Sequence, residues 1–354
     1  MATTSNSCFL LVFIVEINSD KVYSIRYGAT MEDIKNLIAD IFNITPHKIG
    51  IHRCNIGDVN SAYIAEFENK KIFMKVENSS DLPILYSGQI ERELSGMKLC
   101  ASKGVPCPNV LAYDLTGTSI FPKYIVTEFL DYPLLSKVWS TLDSVKKLNI
   151  KKQVLNSIDS LLQITYPQFG DIYKDGNIGC FETWSKALLG LIQIAVNDCE
   201  RFGTFNQGEM NIILLAANEC SYRLPNTETP CFSHMDLHWN NIFVEIKNDL
   251  YEVAGIIDFG SSLYAPKYSD LFRLQDGFLY GTEKFYDGIS KSYSINNDQE
   301  FATDLFNVMD YYVFLSFTKQ KGELVRKRIV EKCNDYLKNV EYDFKYISQH
   351  SYNK

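Results

Sequence analysis

The sequence has little of what marks several common classes of protein. Its 35 Lys and Arg are outnumbered by 43 Asp and Glu, and the net charge of -8 argues against a nucleic-acid partner, whose phosphates require a basic surface. Nine cysteines are scattered with no C-x-x-C pair, which argues against a zinc site or a disulfide framework and favours reduced thiols in the cytoplasm. No apolar run approaches the ~20 residues that a membrane-spanning helix requires. We therefore expect a cytoplasmic protein with neither a nucleic-acid nor a membrane partner.

The most apolar stretch near the N-terminus is also short. CFLLVFIV, at residues 8–15, is only eight residues long, follows Thr and Ser in place of Lys or Arg, and ends at Glu16. This pattern favours a buried strand over a signal peptide. The sequence contains neither G-x-S-x-G nor H-E-x-x-H, so a serine hydrolase or a zinc peptidase has no support.

Apolar spacing predicts strands and one helix at the start of the chain. Residues 8–17 and 21–27 are typical of a hairpin, and residues 30–44 of a helix that Thr30 or Asp33 could cap. This order resembles the start of a ubiquitin-like unit.

Strands and helices are then expected in separate parts of the chain. Strands are predicted within residues 48–77 and at 124–130, with a helix over 88–102 between them. After residue 131 apolar residues recur at helical spacing, and the tail from about 270 to near 340 is typical of helices. The pattern predicts an α+β chain with a sheet-rich first part and a helix-rich second part.

One polar segment stands out, because it contains two of only five histidines: SHMDLHWNNIFV, residues 233–244. It is followed by the apolar run AGII and then by Asp258-Phe259-Gly260. Phosphoryl transfer requires charge and position more than covalent protein chemistry. A strand lysine contacts phosphates, a helix glutamate fixes the lysine, an aspartate orients the acceptor hydroxyl, and an Asn and a second Asp hold the metal. The chain presents these residue types in this order: Lys75, Glu91 or Glu93, Asp236, Asn241 and Asp258.

Each of these residues has a structural alternative when taken singly. A strand lysine usually faces solvent, a pair of helix glutamates usually forms a solvated face, and an aspartate before Phe-Gly is usually a turn residue. The order changes this balance, and so does the spacing of seventeen residues between Asn241 and Asp258. That spacing fits a hairpin whose two ends meet, which favours a phosphotransferase site.

Three segments carry a family resemblance: FSHMDLHWNNIFV, AGIIDFGSSLYAPKYSDL and, more loosely, ERELSGMKLCASKGVPCPNVLAYD. On these segments the chain resembles the aminoglycoside phosphotransferase family, a branch of the protein-kinase-like superfamily, over roughly residues 48–290. The resemblance implies an α+β, two-lobed protein-kinase-like fold. A small sheet-rich lobe would comprise residues 1–130, with 1–47 open to interpretation as a ββα extension, and a larger helical lobe would comprise residues 131–354.

The resemblance also implies roles for residues in and after the segment 233–244. Asp236 would be the catalytic aspartate, Asn241 and Asp258 would bind Mg²⁺, and Asp270 would brace the catalytic loop. A structural role is more typical for His234. The family commonly has a second histidine after the aspartate, which His238 matches, and a small residue at the position of Met235.

The nucleotide contacts implied by the resemblance lie in the first part of the chain. Lys75 would contact the α- and β-phosphates of ATP, and residues 127–130, with Glu128 and Leu130, would form a hinge whose backbone meets adenine. Helical spacing alone does not choose between Glu91 and Glu93 as the partner of Lys75. The Arg-Glu pattern of the family favours Glu93.

The turn before Lys75 leaves its role open. It reads NIGDVNSAY and is no G-x-G-x-x-G, the glycine-rich form that protein kinases use. Gly57 and Ser61 are candidates for a phosphate contact through backbone or hydroxyl. An ordinary hairpin turn explains the same residues equally well.

The leading functional hypothesis is a small-molecule kinase that uses ATP and Mg²⁺ to phosphorylate a hydroxylated acceptor. Aminoglycosides, choline or ethanolamine, fructosamine and amino-alcohols are acceptors that the wider superfamily suggests. A cationic acceptor would require carboxylates, for which Glu283, Asp287 and Asp310 are candidates. The alternative hypothesis is a binding or scaffolding protein that has a kinase-like fold but no catalysis.

Overall fold

The computed structural model describes residues 30–54, 59–78, 82–117, 122–173, 176–247, 250–275 and 293–351, with side chains up to residue 341. The strands predicted at residues 8–17 and 21–27 lie outside this part of the chain. Gly57 also lies outside it.

The first described element is the helix expected after residue 30. Helix α1 (Met31–Phe42) begins at a capping box: the backbone N–H of Asp33 donates to Thr30 Oγ1 at 3.2 Å, and the Asp33 carboxylate accepts from the Thr30 N–H at 2.7 Å. Both residues that were considered as caps therefore take part. Ile34 and Ile38 on this helix are fully buried against the sheet that follows.

That sheet has five antiparallel strands in the spatial order β1-β2-β3-β5-β4. The strands are β1 (Gly50–Cys54), β2 (Asn60–Phe67), β3 (Lys70–Glu77), β4 (Val110–Asp114) and β5 (Tyr124–Glu128). Helix α2 (Gln89–Ser102) lies between β3 and β4 in sequence, and its apolar residues join a different core cluster from those of α1. The two helices therefore cover opposite faces of the sheet.

Alternation of side chains in β3 decides where Lys75 lies. Ile72, Met74 and Val76 are buried with the apolar residues of α1. Since successive side chains of a strand point to opposite faces, Lys75 faces the α2 side. There its Nζ reaches Glu93 of α2 at 3.1 Å. The single lysine in an apolar strand thus faces a helix and not the solvent.

The rest of the chain is mainly helical. Its helices are α3 (Leu135–Val138), α4 (Ser144–Leu161), α5 (Trp184–Arg201), α6 (Gln207–Arg223), α7 (Ser269–Gln275), α8 (Asn297–Phe317) and α9 (Glu323–Ser351). Helix α9 continues beyond the predicted end near residue 340. None of the described helices is both long and apolar enough to cross a membrane. The predicted α+β class, sheet-rich first and helical second, is confirmed.

A hairpin in the helical part brings two polar segments together. Strands β9 (Ile242–Lys247) and β10 (Leu250–Ile256) pair antiparallel, with Ile242 opposite Ile256. The residue before β9 therefore meets the residue after β10: the Ile257 N–H donates to the Asn241 carbonyl oxygen at 3.0 Å. This is the juxtaposition expected from the spacing of Asn241 and Asp258.

A small sheet fixes the two polar segments from their other ends. Its order is β7 (Cys180–Phe181), β6 (Phe169–Asp171), β11 (Leu263–Ala265) and β8 (Cys231–Ser233). Strand β8 leads into the segment 234–241, and β11 follows the Asp258 turn. Because β8 and β11 pair antiparallel, the segment and the turn are held side by side.

A short 3-10 turn, Ile84–Tyr86, lies between β3 and α2 in the sequence and connects the two parts of the chain. The Asp198 carboxylate of α5 accepts from the backbone N–H groups of Ile84 and Leu85, at 3.1 and 3.4 Å. The Tyr86 hydroxyl donates to the carbonyl oxygen of Asp310 in α8, at 2.7 Å. The turn thus docks the sheet-rich part on the helical part.

Candidate active site

The loop of residues 234–241, which carries the predicted catalytic aspartate, is braced by Asp270. The Asp270 carboxylate of α7 accepts from the backbone N–H groups of His234 and Met235, at 3.0 and 2.9 Å. Asp270 is 1% exposed, so these bonds form without competition from solvent. The predicted bracing role of Asp270 is confirmed. Met235 itself is buried and has a φ of 62°, which lies in the left-handed region that non-glycine residues uncommonly adopt.

His234 links the loop to the β9–β10 hairpin. The Asp236 N–H donates to His234 Nδ1 at 3.2 Å, so Nδ1 is an acceptor and the ring proton lies on Nε2. Nε2 then donates to the Ile257 carbonyl oxygen at 2.9 Å. The ring is fully buried and makes both bonds, so the structural role predicted for His234 is confirmed.

Asp236 lies at the centre of the loop with Asn241 and His238. Asn241 Nδ2 donates to the Asp236 carbonyl oxygen at 2.8 Å and to Asp236 Oδ2 at 3.2 Å. His238 Nε2 lies 3.6 Å from Asp236 Oδ2. Burial would raise the pKa of Asp236, but the neighbouring His238, through charge and hydrogen bonding, and the charge of Arg273 together lower this pKa to about 2. Asp236 is therefore ionised at neutral pH, and its side chain keeps 27% of its surface exposed.

The second acidic residue, Asp258, sits on a strained turn after β10. Its φ is 68°, and a non-glycine residue in this left-handed conformation costs roughly 1–2 kcal/mol. Strain of this kind persists where surrounding contacts over-determine it, and it occurs at functional sites. The Asp258 side chain is 49% exposed, so it remains accessible to a ligand.

Lys75 joins the two parts of the site. Its Nζ lies 2.8 Å from Asp258 Oδ1 and 3.1 Å from Glu93 Oε2. Burial would lower the pKa of Lys75, but the charges of Asp258 and Glu93 outweigh burial and raise this pKa well above its ordinary value. Burial raises the pKa of Glu93, against the lowering effect of Lys75. Glu93 is thus the partner of Lys75, in agreement with the family pattern.

Glu91 has a different partner. It is buried, and its Oε1 accepts from Lys123 Nζ at 2.5 Å. The pair of glutamates is therefore not the solvated face that helix glutamates usually form. The two carboxylates point to different lysines, one in β3 and one just before β5.

These contacts form one connected cluster. Lys75 contacts Asp258, the neighbouring Ile257 pairs with Asn241, and Asn241 donates to Asp236. An amide oxygen of Asn241 and the carboxylate of Asp258 are the oxygen ligands that Mg²⁺ prefers. The Nδ2 group of Asn241 is already used by Asp236, so the amide oxygen is the atom that suits a cation. The donor set therefore fits Mg²⁺ bound with few protein ligands. Among the described residues, no group of three or more His, Cys, Asp and Glu could hold a metal by itself.

The structure does not bring the Ser61 side chain into this cluster. Ser61 lies opposite Val76 in the β2–β3 ladder, so it shares the face that points toward α1, away from Lys75. Its hydroxyl accepts from Arg53 Nη2 at 3.0 Å and donates to Asn78 Oδ1 at 2.9 Å. A hydroxyl contact with phosphate was expected as one option, and strand alternation removes it. A backbone contact of this turn, which includes Gly57, stays a prediction.

At the expected hinge, the side chain of Glu128 is committed to the protein. Its carboxylate accepts from the Asn109 N–H and from Asn109 Nδ2, both at 3.0 Å. The carbonyl oxygen of Glu128 accepts from Thr127 Oγ1 at 3.1 Å. Leu130 packs where Gly255 of β10 leaves room, since a Cβ on Gly255 would lie 2.4 Å from Leu130 Cδ1. The Glu128 side chain is therefore held by the protein, and the Glu128 N–H also donates to the Asn109 carbonyl oxygen at 3.0 Å.

Of the three carboxylates considered for a cationic acceptor, the structure describes Asp310. Asp310 pairs with Arg273 at 2.6 Å, so its charge is already balanced. Glu283 and Asp287 lie outside the described residues.

Sequence reasoning missed Arg92, which contacts the Asp258 turn. Arg92 lies between Glu91 and Glu93, and three charged residues in a row are typical of a solvated helix face. All three are buried. The signals were that ERE interrupts an apolar stripe and that Arg92 precedes Glu93 as in the Arg-Glu pattern of the family. Neither reveals a buried arginine whose partner, Asp171, is 79 residues away.

Comparisons with known proteins agree with this geometry. The sequence model of the phosphotransferase enzyme family matches residues 184–304, a stretch that includes the catalytic loop, Asp258 and Asp270. No curated protein sequence matches the chain.

Solved structures resemble the chain over most of its length. A thermostable mutant of aminoglycoside phosphotransferase APH(4)-Ia, in ternary complex with ADP and hygromycin B, has 13% identity and a TM-score of 0.58, and the match covers 86% of this chain and 98% of that chain. A putative fructosamine-3-kinase from Haemophilus somnus 129PT has 15% identity and a TM-score of 0.58, with coverage of 86% and 96%. The gentamicin complex of APH(2")-IIa has 14% identity and a TM-score of 0.57, with coverage of 88% and 97%. The chain therefore has the fold of the aminoglycoside phosphotransferases and, over residues 184–304, the sequence pattern of the phosphotransferase enzyme family, which confirms the resemblance found in its motifs.

Proposed function

We propose that the protein is a small-molecule kinase that transfers the γ-phosphate of ATP to a hydroxyl group of a small acceptor. The observation that carries this proposal is the connected cluster of Asp236, Asn241, Asp258, Lys75 and Glu93. These are the charge and metal-binding functions that phosphoryl transfer requires. Structural neighbours determined with ADP, AMP-PNP and aminoglycosides support it.

Asp236 would orient the acceptor hydroxyl. With a pKa of about 2 it is a weak base, so its main contribution is a hydrogen bond that aligns the hydroxyl for attack. Its exposure allows this contact, and Asn241 together with His238 holds the carboxylate in place.

Lys75 would balance the charge of the nucleotide phosphates. Its raised pKa keeps it protonated, and Glu93 fixes its position. Asn241 and Asp258 would hold Mg²⁺, which when bound neutralises charge on the phosphates. The backbone of residues 128–130 would receive the adenine. The cysteines of the described residues are free thiols, which supports a cytoplasmic setting.

The test is nucleotide turnover by Asp236→Asn over a panel of hydroxylated amines, sugars and aminoglycosides. We expect turnover to fall by about 1,000-fold or more, because the variant loses the charge that aligns the acceptor. Circular dichroism at the assay temperature checks that the variant is still folded, which separates the loss of catalysis from any loss of stability.

Equal turnover by wild type and Asp236→Asn would refute the assignment. A wild-type protein that binds no nucleotide with or without Mg²⁺ would instead favour the alternative of a kinase-like binding protein.

A further inference from the structure

A buried arginine next to Glu93 contacts the turn that carries Asp258. The side chains of Arg92 and Asp171 are both 0% exposed, and Arg92 Nη1 lies 3.2 Å from Asp171 Oδ2. Burying an ion pair is costly, and replacement by apolar residues often stabilises a protein. The stability of the fold alone therefore does not explain why this helix carries a charge here.

Arg92 makes two more bonds, and one of them reaches the Asp258 turn. Its Nε donates to the Gly260 carbonyl oxygen at 2.7 Å, and its Nη2 donates to the Leu85 carbonyl oxygen at 2.8 Å. Gly260 also lowers the pKa of Glu93 through a backbone hydrogen bond, while burial raises this pKa. Arg92 thus holds the carbonyl oxygen of Gly260, while the next residue of α2, Glu93, contacts Lys75.

The turn needs such support, because Asp258 is in the left-handed conformation with φ of 68°. A strained residue relaxes unless its neighbours are fixed. Phe259 is packed against Gly96 of α2 so closely that a Cβ on Gly96 would lie 2.6 Å from Phe259 Cβ. Arg92 supplies the polar half of this contact between α2 and the turn.

We propose that Arg92 is a positioning residue, which holds the Gly260 carbonyl oxygen and thereby keeps Asp258 in its left-handed conformation. In this conformation the Asp258 carboxylate lies beside Lys75, where it can bind a complex of Mg²⁺ and nucleotide. This inference rests on the proposed function, in which Asp258 is a metal ligand. It concerns a residue to which neither the motifs nor the comparisons assign a role.

The shape of arginine explains why lysine would not serve. A guanidinium offers five N–H donors in a planar fork, so one side chain can reach Asp171, Gly260 and Leu85 at once. An ammonium can stay paired with Asp171 but cannot span the three acceptors. Arg92→Lys therefore preserves the buried charge and removes the hold on Gly260.

The first measurement is amide hydrogen exchange of residues 257–262 in the full chain without nucleotide. We expect Arg92→Lys to raise the exchange rate there by about tenfold. The exchange rate depends on the equilibrium constant for local opening, and this constant increases when a bond that closes the turn is lost. The second is calorimetric binding of ADP with and without Mg²⁺. Arg92→Lys should weaken the Mg²⁺-dependent part of the affinity by about tenfold and leave Mg²⁺-free binding unchanged.

Arg326→Lys is the matched control. Arg326 pairs with Glu209 through Nε at 3.1 Å and Nη2 at 2.9 Å, and this pair joins α6 and α9 far from the turn. The control should leave exchange at 257–262 and Mg²⁺-dependent binding at wild-type values.

A second variant guards against misfolding. Arg92→Met with Asp171→Asn removes both charges, so no unpaired charge stays buried, and we expect the same faster exchange and weaker Mg²⁺ dependence. Wild-type exchange and wild-type Mg²⁺ dependence in Arg92→Lys and in the double variant would overturn the proposal. If the wild-type protein binds no ADP, the proposed function fails, whereas the exchange rates still decide whether Arg92 holds the turn.

Discussion

The two halves of the candidate site are held in place in different ways. In the helical half, Asp236 lies on a loop whose braces span at most 36 residues: the Asp236 N–H bonds His234, two residues away, and Asp270 bonds the loop across 35 and 36 residues. In the sheet-rich half, Lys75 is held by Glu93, 18 residues away, and by Asp258, 183 residues away.

The difference shows which half can carry a recognisable motif. A loop held by its own side chains needs specific residues at fixed spacing, so the helical half is visible as a motif. The lysine half depends on strand alternation and on how α2 packs against the Asp258 turn. Its residues are recognised by their order along the chain, and its supports become visible only in three dimensions.

The largest effect is expected from Asp270→Asn, which tests whether the loop of Asp236 in the helical half depends on its brace. An amide cannot accept from both the His234 and Met235 N–H groups, and one buried N–H left unpaired should cost about 2–3 kcal/mol of unfolding free energy. Turnover should fall by about 100-fold, because a shift of the loop misplaces Asp236. Urea unfolding and steady-state kinetics measure the two effects.

Asp198→Asn is the matched control for Asp270→Asn. Asp198 also accepts from two consecutive backbone N–H groups, those of Ile84 and Leu85, and it is also buried. It should lose comparable stability with turnover within about threefold of wild type, because no group proposed to meet substrate depends on it. If both variants lost turnover equally, the loss would reflect global stability and not the brace.

The sequence predicted the helical half of the site better than the sheet-rich half, for reasons visible in particular residues. Asn241 and Asp258 came from spacing, because a hairpin of fixed length must bring its two ends together, whereas Asp236 came from the order of the residues and Asp270 was implied by the family resemblance. Ser61 was one of two candidates for a phosphate contact, with an ordinary hairpin turn as an equal alternative, and the β2–β3 register puts its side chain on the face away from Lys75.

The sequence also failed to show which charged residues are buried. Glu91 and Arg92 carry the residue types of a solvated helix face, and only their distant partners Lys123 and Asp171 make their burial tolerable. Such pairs follow from tertiary packing, which local patterns do not contain. The same holds for Asp310, whose charge is balanced by Arg273 of a different helix.

A smaller effect is expected from substituting two helix glycines, Gly96 in α2 and Gly190 in α5, of which only Gly96 contacts the Asp258 turn. A Cβ on Gly96 of α2 would lie 2.6 Å from Phe259 Cβ, and one on Gly190 of α5 would lie 2.5 Å from Phe181 Cζ. Gly96→Ala and Gly190→Ala should each cost about 1–3 kcal/mol of unfolding free energy through overpacking. Only Gly96→Ala displaces the Asp258 turn, so only it should raise the KM for ATP, by about fivefold, measured at saturating acceptor.

An equal change of the KM for ATP in both glycine variants would show that the sheet-rich half is not specially dependent on the contact between α2 and the turn. Retention of wild-type stability by Gly96→Ala would show that Phe259 moves away from the helix at little cost.

The smallest expected effect is a difference in pH dependence between two aspartates of the helical part, Asp236 in the loop and Asp198 in α5. The pKa of Asp236 is lowered to about 2, chiefly by His238 against the effect of burial, so its charge stabilises the folded state above its ordinary pKa and that contribution fades as the pH falls. Burial raises the pKa of Asp198 against its backbone hydrogen bonds, so its contribution has the opposite slope: the folded state gains stability as the pH falls through the raised pKa.

Urea unfolding between pH 6 and pH 3 measures both slopes. The stability of wild type relative to Asp236→Asn should decrease by about 1 kcal/mol as the pH falls toward 3, while that of wild type relative to Asp198→Asn should increase. Using differences between wild type and each Asn variant cancels the titration of all other groups, provided that the variants leave their neighbours in place. Two slopes of the same sign would mean that the cationic surroundings of Asp236 do not outweigh its burial, and the aspartate would then be a stronger base than the orienting role requires.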